Sequence, residues 1–386
     1  MALVMTDDRN YAAIASAIRS KNGYAGTYTP NLMANAIYAL SVDGAPVPNA
    51  GDAIATATLS EARFCSASYV RDSAFQGFTD LTVADFPLCV GIGTRAFMGC
   101  TTLSEISFPM CASIGTEAFR SCTSLTEIDF PSCSIVNSHA FNGCTQLTSA
   151  AFSACIGIGQ LAFSGCTSLS EIELPECEHM GSSAFRGCSR LRSVSLPQCT
   201  SIQYETFYNC VALRSAFLPV CSIIGTYAFY RCGLTAVDAP VCTDVGAYAF
   251  AYCSEISTVS LPLCEAVNGY GFASCSSVGS IFLPACTSIG TNAFGGCLNL
   301  SYVRIPACNT IGSSAFAGCG ALMTLDMQDV TSVPTLYSTN TFVGTPIYSS
   351  STSTSTFGRI IVPSSLYESF LSAAMWSRFS ERMVYV

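Results

Sequence analysis

The sequence predicts an α/β repeat solenoid of about twelve coils, each 22 residues long, with short strands running parallel to their counterparts in the next coil. Three observations predict it. Cysteine recurs every eleven residues from Cys89 to Cys319, with one ten-residue step between Cys232 and Cys242; 22 of the 23 cysteines fall on that comb and Cys65 alone lies off it. An aromatic anchor recurs at twice that spacing: Phe75, Phe97, Phe119, Phe141, Phe163, Phe185, Phe207, Phe229, Phe250, Phe272, Phe294 and Phe316, with one residue deleted after Phe229, near Gly233. Between anchors, apolar residues alternate as in a strand and stop at a proline, as at Leu125, Ile128, Phe130 and Pro131. A backbone that returns to the same place on every turn needs such regularity, and a catalytic site does not.

The elements follow in chain order. Asp8 can cap a helix with Tyr11, Ile14, Ala15 and Ile18 on one face, stopped at Asn22-Gly23. Thr29-Pro30 opens a second helix bearing Leu32, Met33, Ala36, Ile37 and Leu40, so residues 1–42 read as a helical hairpin. Residues 43–57, rich in Gly, Ala and Pro, read as a linker, and the solenoid occupies 58–335. Within a coil, the strand around Ile128 is followed by a second extended piece such as Ser113-Ile114-Gly115. Glycine there can take φ > 0 and turn the chain, and Ala-Phe-x-x-Cys then fits one helical turn. The inward positions are Ala, Phe, Cys, Leu, Ile, Leu or Phe, Cys and Ile, which one coil cannot bury without neighbours. Residues 336–386 supply a polar loop, Tyr348–Thr356, and a closing segment.

The cysteines read as small apolar core residues in two stacked thiol ladders. In-register Cβ vectors point the same way, which disfavours the disulfide torsion. The C-x10-C spacing lacks the close pairs of a zinc site, and the chain has only 2 histidines. No metal or other cofactor is expected.

The string L-x-x-I-x-L-P-x-C-x-x-I-G-x-x-A-F-x-x-C resembles the BspA-like leucine-rich-repeat family. Leu169, Ile172, Leu174, Pro175, Met180, Gly181, Ala184, Phe185 and Cys188 match one pass, and the pattern recurs across residues 64–320. The chain departs from the family in being one residue shorter per coil and in placing Cys after Pro where the family more often has Val. The resemblance implies a leucine-rich-repeat-like right-handed coil and a role in adhesion or protein–protein interaction. The segment 358–383 also resembles the end of such proteins, implying a strand to Val362-Pro363 and a helix carrying Tyr367, Phe370, Trp376 and Phe379 as a cap. The strings A-I-A-S-A-I-R-S-K-N-G and Y-T-P-N-L-M-A-N-A-I resemble N-terminal segments of tail-associated proteins of phages of Gram-positive bacteria. That likeness implies an attachment segment.

The net charge of −9 and pI near 4.7 argue against a nucleic-acid partner, which a basic stripe would serve. No apolar run reaches the roughly 18 residues of a membrane-spanning helix, and MALVMTDDRN does not read as a secretory signal. His139 and His179 sit at positions that other coils fill with Ser, Thr or Glu, and no nucleophile-elbow, Walker or zincin motif occurs. An enzyme is not expected.

Two surface features remain. Glu105, Glu127, Asp129, Glu171 and Glu173 alternate along strands and make an acidic strip: a solvated face, a weak cation site or a contact for a basic partner. Tyr204, Tyr208, Tyr227, Tyr230, Tyr248, Tyr252 and Tyr270 lie beside the aromatic anchor and would stack into one band. Such a band suits a protein or cell-surface glycan, or it fills space on the outer face of the coils. The expected function is non-enzymatic recognition, phage tail-associated and directed at a bacterial surface, so that the chain would reside in the virion, or in the cytoplasm before assembly. The alternatives are a bacterial cell-surface adhesion or interaction module, and a structural spacer.

Overall fold

A computed structural model describes residues 3–5, 61–64, 67–348 and 357–386. The helical hairpin, the linker, Cys65 and most of the polar loop lie outside the described residues. Within the span read as the hairpin, the described residues Leu3–Met5 form a strand parallel to Glu61–Phe64. The chain divides into two compact units, Met1–Leu191 and Arg192–Val386, and the division falls inside the repeat array.

Each unit is a parallel-strand solenoid of stacked coils. In the coil after Phe119, Glu127–Asp129 is the first strand, with Ile128 turned inward and the two carboxylates outward. Pro131 closes it because proline cannot donate to a ladder. Ile135–Val136 is the second strand, with Val136 buried. These two-residue strands form a six-stranded sheet in the first unit and a seven-stranded sheet in the second. Register advances by one whole coil, pairing Ile114 with Val136 and Val136 with Ile158. Ala118, Phe119, Cys122, Leu125, Phe130 and Cys133 are fully buried, matching the inward pattern.

Among the described residues a further coil follows Phe316, the last of the twelve anchors. Thr335–Leu336 pairs with Thr310–Ile311, and Phe342 stacks on Phe316 at 5.9 Å. This anchor comes 26 residues after Phe316 instead of 22, so a fixed period steps over it. Aromatic stacking runs through each unit, from Phe75–Phe97 at 5.0 Å to Phe163–Phe185 at 5.3 Å in the first. In the second it runs from Phe207–Phe229 at 5.2 Å to Phe294–Phe316 at 5.6 Å.

The Ala-Phe-x-x-Cys segment is not a helical turn. Two residues before each anchor the backbone is left-handed, as at Arg95 (φ 57) and Tyr227 (φ 58). Two residues after it, the same holds at Gly99 (φ 77) and Ser121 (φ 61). Left-handed residues reverse the amide direction, so alternate N–H groups point along the solenoid. Arg95, Phe97 and Gly99 thus donate to Thr116, Ala118 and Arg120 of the next coil at 2.7–2.8 Å. The residues between them close tight turns, Ala96 N–H to Gly93 and Met98 N–H to Arg95. The segment is a third parallel ladder, and the single α-helix among the described residues is Tyr367–Ser372.

The recurrent glycine after the second strand serves close approach, not a turn. A Cβ on Gly115 would lie 2.5 Å from the Gly93 carbonyl carbon, and one on Gly181 would lie 2.4 Å from the Gln160 nitrogen. Backbone meets backbone there, and no side chain can move aside. The deletion after Phe229 is absorbed at Gly233, whose carbonyl accepts from the Arg214 guanidinium at 3.1 Å while Arg214 also pairs with Glu255. Cys232 and Leu234 stay buried on either side.

All 22 described cysteines are buried. Each ladder uses its S–H differently. Cys122, three residues after an anchor, donates to the Phe97 carbonyl of the preceding coil at 3.1 Å, and Cys144 donates to Phe119 at 3.2 Å. Cys133, two residues after proline, donates to the Ile135 carbonyl at 3.3 Å. Valine fills that second space without a donor, whereas cysteine fills it and satisfies a carbonyl.

The cap differs from the expected strand and single helix. Arg359–Val362 pairs with Thr324–Asp326, and the helix stops at Ser372 because Ala373 is extended. Trp376 and Phe379 lie beyond it, Phe379 in a separate 3-10 turn, Ser377–Arg382. Both rings cover Phe342, and the Trp376 indole donates to the Pro334 carbonyl at 2.7 Å. A last strand, Met383–Tyr385, then pairs with Ile360–Val362.

Two predictions follow from this packing. Gly115→Ala should destabilise the folded chain by about 2 kcal/mol or more. Gly157→Ala, whose Cβ meets nothing within 4 Å, should change stability by less than about 0.5 kcal/mol. Urea unfolding of the two variants checks the contrast, and equal effects would contradict it.

The second prediction concerns pH. Burial pushes the thiols of Cys100, Cys144 and Cys253 up from 9.0 to about 12. Folded thiols therefore keep their protons where unfolded thiols lose them. That stability is fully present below the unfolded value and is lost as pH rises toward the folded one, at about 1.4 kcal/mol per pH unit for each thiol. The urea midpoint of the reduced protein should fall steeply above pH 9, and a flat midpoint up to pH 11 would contradict it.

Candidate functional site: a tyrosine band on the second unit

The third ladder fixes where the tyrosines go. Tyr227, Tyr248 and Tyr270 each stand two residues before an anchor, with φ of 57–60. Their N–H groups bond to Ala247, Gly269 and Thr291 of the following coils. Locked at coil spacing, their rings stack at 4.7 Å and 9° (Tyr227–Tyr248) and at 4.4 Å and 4° (Tyr248–Tyr270). Tyr208 and Tyr230, one residue after their anchors, stack at 4.9 Å and 12°. The two columns meet edge-on at Tyr227–Tyr230, 5.4 Å and 69°. Tyr204 abuts Tyr227 at 6.2 Å, and Tyr252 abuts Tyr230 at 5.4 Å. All seven tyrosines thus form one connected group, with Tyr204 and Tyr252 about half exposed.

Burial pushes the phenols of Tyr230 and Tyr248 above their usual range, and the neighbouring tyrosines add to this at Tyr248. The phenols stay neutral as donors near pH 7. Arg231 belongs to the band as well: its guanidinium lies 5.6 Å from the ring centres of both Tyr230 and Tyr252. The sequence pattern did not single it out, because its position in the coil is variable, held elsewhere by Gly, Ser, Asn and, in the next coil, Tyr252. Its only signal was a cation directly after Tyr230 and one coil from Tyr252.

The acidic strip lies on the first-strand face of the first unit and is not one cluster. Ser149 pairs with Glu127 on one side and Glu171 on the other, and Ala151 likewise with Asp129 and Glu173. The small residues leave an open groove of about 410 Å³ between the two carboxylate rows. The rows stand two strand spacings apart, about 9.6 Å. Among the described residues no group of three or more His, Cys, Asp or Glu side chains converges to hold a metal ion. Glu105 lines a separate hollow with Arg63, which is paired with Glu61 and Asp85.

The column of Tyr227 holds other chemistry in the first unit. Glu117 is buried there between Arg95, at 2.5 Å, and Arg120, and the Arg95 hydrogen bond holds its carboxyl below the usual range. His139 occupies the same column with a buried, unpartnered Nδ1, whereas His179 is exposed on a strand beside Glu178. The structure does not bring the two histidines together in one site. Unexpected aromatics face outward at Phe217 and Phe282, and the Arg304 guanidinium lies 5.6 Å over the Phe282 ring. Among the described residues no helix is long and apolar enough to cross a membrane.

Fold and surface together define a leucine-rich-repeat type of solenoid. The BspA type leucine rich repeat region matches in 6 copies over residues 90–214 and 222–345, more than half of the chain. The chain belongs to that family. Among solved structures, a leucine-rich repeat protein from Bacteroides ovatus is similar at 22% identity, covering 83% of this chain and 88% of that one, with a TM-score of 0.57. A leucine rich cell surface protein from Faecalibacterium prausnitzii is 22% identical over 83% of each chain, with a TM-score of 0.37. The pneumococcal vaccine antigen PcpA is 17% identical over 84% of this chain and 83% of that one, with a TM-score of 0.45. No curated protein matches the sequence.

Proposed function

We propose that this chain is a non-enzymatic recognition protein whose contact surface is the tyrosine band of the second unit. The observation that carries the reading is the concentration of seven tyrosines from four consecutive coils into one connected, partly exposed group. The fold tolerates Ser at the same columns, as at Ser183 and Ser314, so the core does not require these rings. Tyrosine offers large contact area, a hydroxyl and a low ordering cost.

The target is a bacterial surface, reached in one of two settings. The N-terminal strings between Ala12 and Ile37 support attachment to a phage tail, which would place the chain in the virion. Membership of the BspA type family supports an adhesion or interaction module on a bacterial cell. Neighbouring tail and lysis genes would favour the first setting, and neighbouring sortase or surface-protein genes the second.

Binding of the full-length chain to envelopes of the source bacterium tests the reading. Saturable binding, weakened at least tenfold by combining Tyr227→Ser, Tyr230→Ser and Tyr248→Ser, is the expected result. Binding by neither protein, or equal binding by both, would leave the solenoid a spacer and the tyrosines a packing feature.

A further inference from the structure

We propose that the tyrosine band receives an acidic segment of a protein partner, with Arg231 taking its carboxylate; this rests on the band being a contact surface. The first support is what the rings have already used. Tyr227, Tyr248 and Tyr270 stack face to face at 4.7 and 4.4 Å, and Tyr208 and Tyr230 at 4.9 Å. A sugar ring docks on an open aromatic face, and these faces are spent on each other. What stacked columns leave to the outside is ring edges and phenol hydroxyls. Positive ring edges and O–H donors suit an electron-rich, hydrogen-bond-accepting group.

The second support is Arg231. It is exposed, held 5.6 Å from two tyrosine rings, and no carboxylate pairs with it among the described residues. Acidic side chains outnumber basic ones 25 to 16 in this chain, so an arginine without a carboxylate is one the fold has not neutralised. The nearby Glu255 is already paired with Arg214. The guanidinium fork lies against two rings that are 5.4 Å apart, which reduces the ordering cost of a bidentate carboxylate contact. A phosphate carries nearly two charges and is met by clustered arginines, whereas one guanidinium among neutral phenols matches a single carboxylate.

Arg231 has φ 56 and Asn209 holds the equivalent position one coil earlier with φ 61, so Arg231→Asn keeps the backbone the fold requires. The test presents full-length protein with a display library of random dodecapeptides and, separately, with an array of bacterial glycans. Enriched peptides rich in Asp and Glu are expected. They should bind Arg231→Asn at least tenfold more weakly, with affinity partly restored in Arg231→Lys. Neutral or basic peptides, no enriched peptide, or unchanged binding to Arg231→Asn would overturn the inference. A glycan held by the native chain and lost from the Tyr227→Ser, Tyr230→Ser, Tyr248→Ser variant would overturn it while leaving the band as the contact surface. Acidic peptides that bind this triple variant unchanged would remove both.

Discussion

The distance at which one coil lies over the next governs every other feature of the two units. Three parallel ladders set it: the two strands of each coil and the turn segment, whose alternate N–H groups reach the following coil at 2.7–2.8 Å through Arg95, Phe97 and Gly99. Parallel pairing fixes the rise at about 4.8 Å. Glycine at Gly115 and Gly312 is one consequence, since a Cβ on either would sit 2.5 Å from the neighbouring coil's backbone, whereas Asn137, Gln203 and Asn268 hold the same position in other coils. The face-to-face stacking of the anchoring phenylalanines is another. Cysteine answers the same constraint from inside: it is small enough for the layer, apolar enough for the core, and its S–H reaches a carbonyl left in reach, as Cys122 does to Phe97 at 3.1 Å.

Because the backbone carries the repeat, the outward columns are free to vary. The position two residues before the anchor holds Arg95, Glu117, His139 and Leu161 in the first unit, and Tyr227, Tyr248 and Tyr270 in the second, all with φ of 56–60. The left-handed backbone at these residues is therefore demanded by the fold and is not strain stored for a function. A run of one residue type down a column becomes a continuous surface stripe at coil spacing. The tyrosine band is such a stripe.

Much of this was legible in the sequence because it is periodic. Ala118, Phe119, Cys122, Leu125, Ile128, Phe130 and Cys133 follow the inward pattern, and all are buried. What escaped has specific causes. The spacing of Ala-Phe-x-x-Cys equally suits a helical turn and two left-handed turns, and periodicity does not distinguish them. The glycine after the second strand signals either φ > 0 or a close approach, and only the neighbouring coil decides for the latter. The coil of Phe342 is four residues longer than the rest, so a fixed period ends at Phe316. In the candidate site, grouping the tyrosines needed only the column arithmetic, whereas Arg231 became visible when its guanidinium was seen against both Tyr230 and Tyr252.

The most direct test of the central claim counts thiols. Each of the 22 described cysteines is buried in the stacked coils. Freshly purified, unreduced protein should therefore show these thiols silent toward a maleimide reagent while folded, and all of them reactive once denatured. Rapid labelling of ladder cysteines in the folded chain would mean that the coils are not closely stacked. Missing thiols in the denatured chain would mean that disulfides, not hydrogen-bonded thiols, join them.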